Sequence, residues 1–316
     1  MGRYLLRRLV LIIPTLIGAS LLVFVMMRLL PGDVVDLLIG SELTLSAEQR
    51  AGLRAMLGVD QPWYSQYLTW IGGVLSGDLG ISLRSSQPVT TLILQRLPVT
   101  VELAILAALI SWVVAIPLGV IAATRRNSPT DLFANIVGLI GLALPNFWLA
   151  TLFLLITSIV FRWQPSPQWV SPFEDLRTNL QQVIMPTLTL SAGMIAVTMR
   201  MMRSSMLEVL GQDYIRTAQA KGLGDRMVLI SHAFKNAAIP VVTVMGVQVG
   251  NLLGGAVIIE QIFGLPGIGW LILNGIYQRD YPVVQGGVFF LAVAFVVINL
   301  LIDLTYAYLD PRIHYG

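Results

Sequence analysis

Few residues of this chain have a type and spacing that could do chemistry. His232 and His314 are its two histidines, and it has no cysteine. A thiolate site, a histidine metal cluster and the H-E-x-x-H pair of a zinc enzyme are therefore missing. Lys221-Gly222-Leu223-Gly224 holds the letters of a phosphate loop in the wrong order. Without G-x-x-x-x-G-K-[ST], the backbone cradle and lysine that hold nucleotide phosphates are lacking. Both lysines, Lys221 and Lys235, fall in one segment, which argues against a serine–lysine pair at membrane depth. What remains is polar rather than catalytic. Glu102 and Asp303 lie near the ends of apolar stretches. Ionisable residues there are candidates for function, and solvation at an interface explains them equally well. In another apolar stretch Gly246, Gly250 and Gly254 recur every four residues, the spacing of small-residue packing seams. At about 100° per residue they cover roughly 0–80° of the helix, while Gln248 and Asn251 fall near roughly 200° and 140°. The glycines are expected to pack on a neighbouring helix. Gln248 and Asn251 then either face a water-filled path or hydrogen-bond within the bundle.

The elements that must hold these residues cross a membrane. Hydrophobic residues make up 56% of the 316, charged residues 12%, and mean hydropathy is +0.77; a soluble domain carries about 25% charge. Six stretches, roughly 9–30, 99–123, 132–161, 183–202, 237–259 and 283–305, are long enough to span at about 20 residues each. The expected fold is an all-α membrane protein of six transmembrane helices, a single transmembrane domain over 1–316. The first stretch follows Arg3, Arg7 and Arg8 and reads as a retained signal anchor, since Leu30-Pro31-Gly32 is no small-residue cleavage site. The third holds Pro145 and reads as one kinked or tilted helix. With the N-terminus inside, twelve of the twenty basic residues and six of the seventeen acidic ones lie on the inner side. That bias places both termini in the cytoplasm.

Two connections are long. The external one, 31–98, carries the capping-box pattern Ser46-Ala47-Glu48-Gln49 and a helix stop at Gly58. A second helix starts near Asp60 and Pro62, with Trp63, Tyr67 and Trp70 forming an aromatic face suited to the membrane–water boundary. The internal connection, 203–236, has helical spacing over 206–221 at Met206, Leu207, Leu210, Tyr214 and Ile215. Gly222 and Gly224 interrupt it, and Asp225 is placed to cap a further helix running to about Asn236. This basic helix–glycine–helix element is expected to dock a cytoplasmic partner; the alternative is that it binds anionic membrane lipid.

Its residues also carry a resemblance. Asp213-Tyr214-Ile215-Arg216-Thr217-Ala218-Gln219-Ala220-Lys221-Gly222-Leu223, followed by His232-Ala233-Phe234-Lys235-Asn236-Ala237-Ala238-Ile239-Pro240, resembles the cytoplasmic "EAA" loop of ATP-binding-cassette import permeases. It is similar to the dipeptide, oligopeptide and nickel group. Further matching strings run in order along the chain: Leu30-Pro31-Gly32-Asp33, Gly77-Asp78-Leu79-Gly80-Ile81-Ser82, Leu144-Pro145-Asn146-Phe147-Trp148, Pro266-Gly267-Ile268-Gly269, Arg279-Asp280-Tyr281-Pro282 and Asp310-Pro311-Arg312. The short N-terminus and Leu-Pro-Gly-Asp string resemble the first of the two permeases such importers pair. Arg216-Thr217-Ala218 stands where the general motif has Glu-Ala-Ala, so that glutamate's role is not carried over.

The resemblance implies a type I importer permease fold in a bacterial inner membrane, with an external insertion over 31–98 and a permease core over 99–305. It implies a second, similar permease, two ATPase subunits that bind ATP and magnesium, and an external solute-binding protein, with no cofactor or nucleic acid on this chain. The implied coupling residues are Tyr214, Arg216, Thr217, Ala218, Lys221, Gly222, Leu223 and Gly224, and the cargo class is peptides or related small solutes. A secondary transporter or channel working without an ATPase is the alternative; it would show charges at mid-depth or an inverted repeat, and neither is evident. A membrane enzyme would need a convergent catalytic set, which is also missing.

Overall fold

The computed structural model describes residues 2–29, 46–166 and 168–309. The strings Leu30–Asp33 and Asp310–Arg312 lie outside those residues, as do the side chains of Arg3, Arg7 and Asp303. Among the described residues the elements are helices, and an isolated antiparallel bridge joins Ile81 and Pro88. They are α1 (Gly2–Leu29), α2 (Ala47–Leu57), α3 (Trp63–Leu75), α4 (Val89–Thr124), α5 (Pro129–Ala143), α6 (Asn146–Val160), α7 (Leu176–Leu210), α8 (Asp213–Ala220), α9 (Asp225–Phe263), α10 (Ile268–Tyr277) and α11 (Tyr281–Leu309). Five of these are long and apolar enough to cross a membrane, and α5 with α6 makes a sixth if the pair counts as one span. Several overrun the apolar stretches that announce them: α4 has 36 residues and α7 has 35.

The expected single kinked helix around Pro145 is instead two helices bent by 102°. Proline removes an N–H and clashes with the preceding turn, and it pushes the residue before it into extended backbone. Leu144 has φ −85° and ψ 121°, closes α5 by donating its N–H to the carbonyl of Ile140, and leaves Pro145 to open α6.

The chain splits into two compact units: Met1–Pro98 with Pro266–Val296, and Val99–Leu265 with Val297–Gly316. Of the described residues, the first unit contains 46–98 of the external connection and also residues 266–296, which fall within the 99–305 core that the resemblance implies. Within it the capping box is complete: the Gln49 N–H donates to Ser46 Oγ at 3.2 Å, and the Ser46 N–H donates to Gln49 Oε1 at 3.0 Å. Gly58 ends α2 at φ 63°. The aromatic stripe of α3 divides. Tyr67 and Trp70 pack on Phe24 of α1, Trp70 also meets Phe289 of α11 edge-on, and the Tyr67 hydroxyl lies 2.8 Å from Ser20 Oγ. Trp63 and Tyr64 are exposed. Two of the family-like strings meet here: buried Asp280 accepts from Ser82 Oγ at 2.5 Å and from the N–H groups of Leu83 and Arg84.

The second unit is built around α7, the most enclosed of the candidate spans. Asp175 caps it, accepting from the N–H groups of Arg177 and Thr178 and from the Thr178 hydroxyl, whose bond holds this carboxyl below the usual carboxylate range. α4 lies hard against α7 at Gly119, where a Cβ would come within 2.7 Å of the Met199 carbonyl and of Met202. Buried Glu260 of α9 accepts from Thr100 of α4 at 2.7 Å, and Glu102 accepts from the Trp169 indole at 2.9 Å. A short, charge-assisted link lies at the start of α5. Ser128 caps that helix, and Asp131, 3% exposed, takes two bonds from Arg203 of α7, at 2.6 and 2.9 Å. The Asn127 N–H and the Asn135 amide complete its coordination. A carboxylate this enclosed needs every acceptor site used.

Asp131→Leu is expected to destabilise the protein by about 3 kcal/mol, because it strands Arg203. Adding Arg203→Leu is expected to restore part of that loss. Thermal unfolding of the purified variants in detergent measures both; equal melting points for the wild type and Asp131→Leu would remove the link from the account.

Candidate functional site

Two places in the second unit gather the residues singled out by sequence. The first is the 203–236 segment. α7 does not pass into a helix over 206–221; it stops at Gly211, and Gln212, with ψ 148°, turns the chain before α8 begins. The turn lets Ile215 and Ala218 pack back onto Met202 and Met206, so Ala218 is buried rather than displayed. Tyr214, Arg216, Thr217, Lys221, Gly222, Leu223 and Gly224 are exposed. Arg216 pairs with Asp213 at 3.5 Å, both in solvent, an arrangement that adds little stability. The Asn236 amide donates to the Tyr214 hydroxyl at 3.1 Å and ties α8 to α9.

The glycines play different parts. Gly222 has φ +78°, and its N–H donates to the Gln219 carbonyl to close α8. A side chain there meets no neighbour within 4 Å, so the constraint is the left-handed backbone itself. Gly224 has φ −62°, which any residue adopts, and serves as N-cap of α9. Asp225 therefore does not cap α9 but occupies its first turn, where a carboxylate favours the helix dipole. Nor does that helix end near Asn236. It runs from Asp225 to Phe263, with a π-helical stretch over Val228–Phe234.

The second place lies where the α5–α6 break meets α7 and α9. An open pocket of about 390 Å³ is lined there by Leu144, Pro145 and Asn146 at the break, Gly193 and Val197 of α7, and Gln248 and Asn251 of α9, among others. Gln248 Oε1 accepts from Thr198 at 3.0 Å, while its buried Nε2 has no hydrogen-bond partner among the described residues. Asn146 and Asn251 are exposed. Of the three glycines on α9, Gly246 and Gly250 are buried, but Gly254 is exposed and a Cβ there would meet nothing within 4 Å; it is no part of a packed seam in this chain. Sequence reasoning did not single out Asn146 or Thr198 as site residues. An amide directly after a proline in the middle of an apolar run was the available signal.

With this geometry in hand, the comparisons are decisive. The family model described as "Binding-protein-dependent transport system inner membrane component" matches residues 115–315, and "Binding-prot-dependent transport system membrane comp, N-term" matches residues 1–104. The chain belongs to this family. It is therefore a multi-pass component of an inner-membrane transport system, a permease subunit rather than an enzyme. The dipeptide transport system permease protein DppB of Escherichia coli (strain K12) is 42% identical over 338 residues, covering 100% of this chain and 99% of the relative. A putative peptide transport system permease protein of Brucella suis biovar 1 (strain 1330) is 43% identical over 316 residues, covering 100% of both. A crystal structure of an amino acid ABC transporter with histidines is similar at a TM-score of 0.49, with 14% identity over 71% of this chain and 95% of that one; the assignment rests on the sequence matches instead.

The family member's exposed elbow carries a direct test. A β-branched residue at a left-handed position costs roughly 1–2 kcal/mol, and asparagine tolerates it better. Gly222→Val is expected to speed limited trypsin cleavage at Lys221 and Arg226 about tenfold, with Gly222→Asn near the wild-type rate. Equal rates for all three would mean that the φ of +78° does not hold the elbow.

Proposed function

We propose that the chain is a permease subunit of an ATP-binding-cassette importer that moves peptides or related small solutes across a bacterial inner membrane. Its partners are a second, similar permease, two ATPase subunits and an external solute-binding protein. Both termini lie in the cytoplasm, in keeping with the bias of basic residues. Peptide cargo is supported by the names of the relatives just given and by their near-complete coverage.

One observation carries the transport reading. Asn146 lies at a break inside an apolar span, and Gln248 and Asn251 lie midway along an apolar helix, yet all three line one open pocket. Irregular backbone and amide side chains at membrane depth are tolerated where protein buries them or where they line a water-filled cavity. Asn146 and Asn251 are exposed and half-buried Gln248 lines the same pocket, which supports placing Gln248 and Asn251 on the translocation path with Asn146 beside them.

The exposed side of α8 and the Gly222 elbow suit the ATPase. Tyr214, Leu223, Met227 and Ile230 are exposed apolar or aromatic residues beside the exposed Arg216, Lys221 and Arg226, a combination that fits a protein partner with a greasy, acidic cleft. Closure of the ATPases would push on α8 and the start of α9 and rearrange the helices as rigid bodies.

Affinity purification of the tagged chain from native membranes in mild detergent is expected to bring down a second permease and one or two ATPases with phosphate loops. If the chain came down alone and moved solute in liposomes without ATP, the channel or secondary-transporter reading would replace this one. Aspartate, tolerated in left-handed backbone, separates contact from fold at the elbow. Gly222→Asp is expected to assemble normally and to lose solute-stimulated ATP hydrolysis; normal stimulation refutes the coupling role.

A further inference from the structure

We propose that Asn146, Gln248 and Asn251 form an uncharged cargo site that recognises peptide groups rather than side chains or termini. This rests on the path reading above and specifies what the path touches. The residues lining the pocket include no titratable side chain: three are amides and the others are apolar, proline or glycine. A side-chain amide presents one carbonyl acceptor and two N–H donors, the same groups as a peptide bond. The three amides can therefore replace the water that a peptide group sheds on entering. Gln248 has capacity to spare, because Thr198 engages its oxygen while its nitrogen lacks a partner among the described residues. At about 390 Å³ the pocket falls within the size range of small-molecule sites.

The absence of charge has a physical use. A carboxylate or ammonium group in a low-dielectric site would hold an oppositely charged cargo tightly and repel the other sign. A path must bind well enough to admit its cargo and weakly enough to release it. Neutral amides meet both needs for peptides whose side chains vary in charge, and they leave selection among those peptides to other parts of the system.

The chain has no cysteine of its own, so a reporter thiol is the one thiol on this subunit, and its labelling is read on this subunit after separation from the others. Leu142 lines the pocket and is exposed; Leu142→Cys leaves the three amides intact. In the complete transporter reconstituted in nanodiscs, a hydrophilic maleimide is expected to label this cysteine. Alanyl-alanine is expected to slow labelling about fivefold more than alanyl-lactate, the ester of the same shape that lacks the peptide N–H, a difference of about one net hydrogen bond. Adding Asn251→Leu is expected to abolish the difference while labelling continues. If both compounds protect equally, or neither protects, the peptide-group site is wrong and the path survives. If the maleimide never reaches residue 142, the path reading itself fails and this one falls with it.

Discussion

Backbone N–H and C=O groups inside a bilayer have no water to bond, and each one left open costs several kcal/mol. Long continuous helices are the solution along most of this chain, and α4, α7 and α9 run well past the apolar stretches that call for them. The constraint gives its force to a place where it is relaxed. At Leu144–Pro145 a span breaks by 102° within apolar sequence, and the open turn faces a pocket that also receives two amides from α9. The Asp131–Arg203 link fixes the other end of the broken pair against α7. Break, pocket and link together make the second unit more than a bundle of parallel spans.

Much of this was legible in the sequence wherever a feature depends on a few consecutive residues. The Ser46 box, the Gly58 stop and the left-handed Gly222 each follow from local backbone chemistry, and all three are in place. The family strings were legible as strings, but their meeting was not: no pattern in either sequence segment says that Asp280 will hold Ser82 and Arg84. Features decided by packing were missed for the same reason. The turn at Gly211–Gln212 exists because Ile215 and Ala218 gain a buried place against Met202 and Met206, which helical propensity over 206–221 cannot foresee. Proline at 145 announced a disturbance, though the angle depends on the helices that receive α5 and α6. The regular spacing of Gly246, Gly250 and Gly254 identified a face without saying where along the helix a neighbour would stop covering it.

The two family models divide the chain between residues 104 and 115, inside α4, close to where the compact units divide at 98 and 99. The N-terminal unit recruits residues 266–296 from much later in the chain. Its hydrogen bonds from Ser82 to Asp280 and from Arg28 to Gln66 and Gln285 join segments far apart in sequence, so this unit is completed only after most of the second has been synthesised.

The unbroken run of α9 has a mechanical consequence. Its 39 residues carry the chain from the glycine elbow, through the π-helical turns of Val228–Phe234 and Pro240, past Gln248 and Asn251 to Glu260. At about 1.5 Å per residue, Gln248 stands roughly 35 Å from Asp225, so a tilt of about 5° pivoting at the elbow sweeps it sideways by about 3 Å, the length of one hydrogen bond. Moving as a rod, such a helix would be a lever arm: a displacement too small to disturb packing at one end would be enough to make or release a contact at the other. The π-helical turns of Val228–Phe234 lie next to the pivot, where a change in winding would rotate the whole arm about its axis and turn its amides toward or away from the pocket.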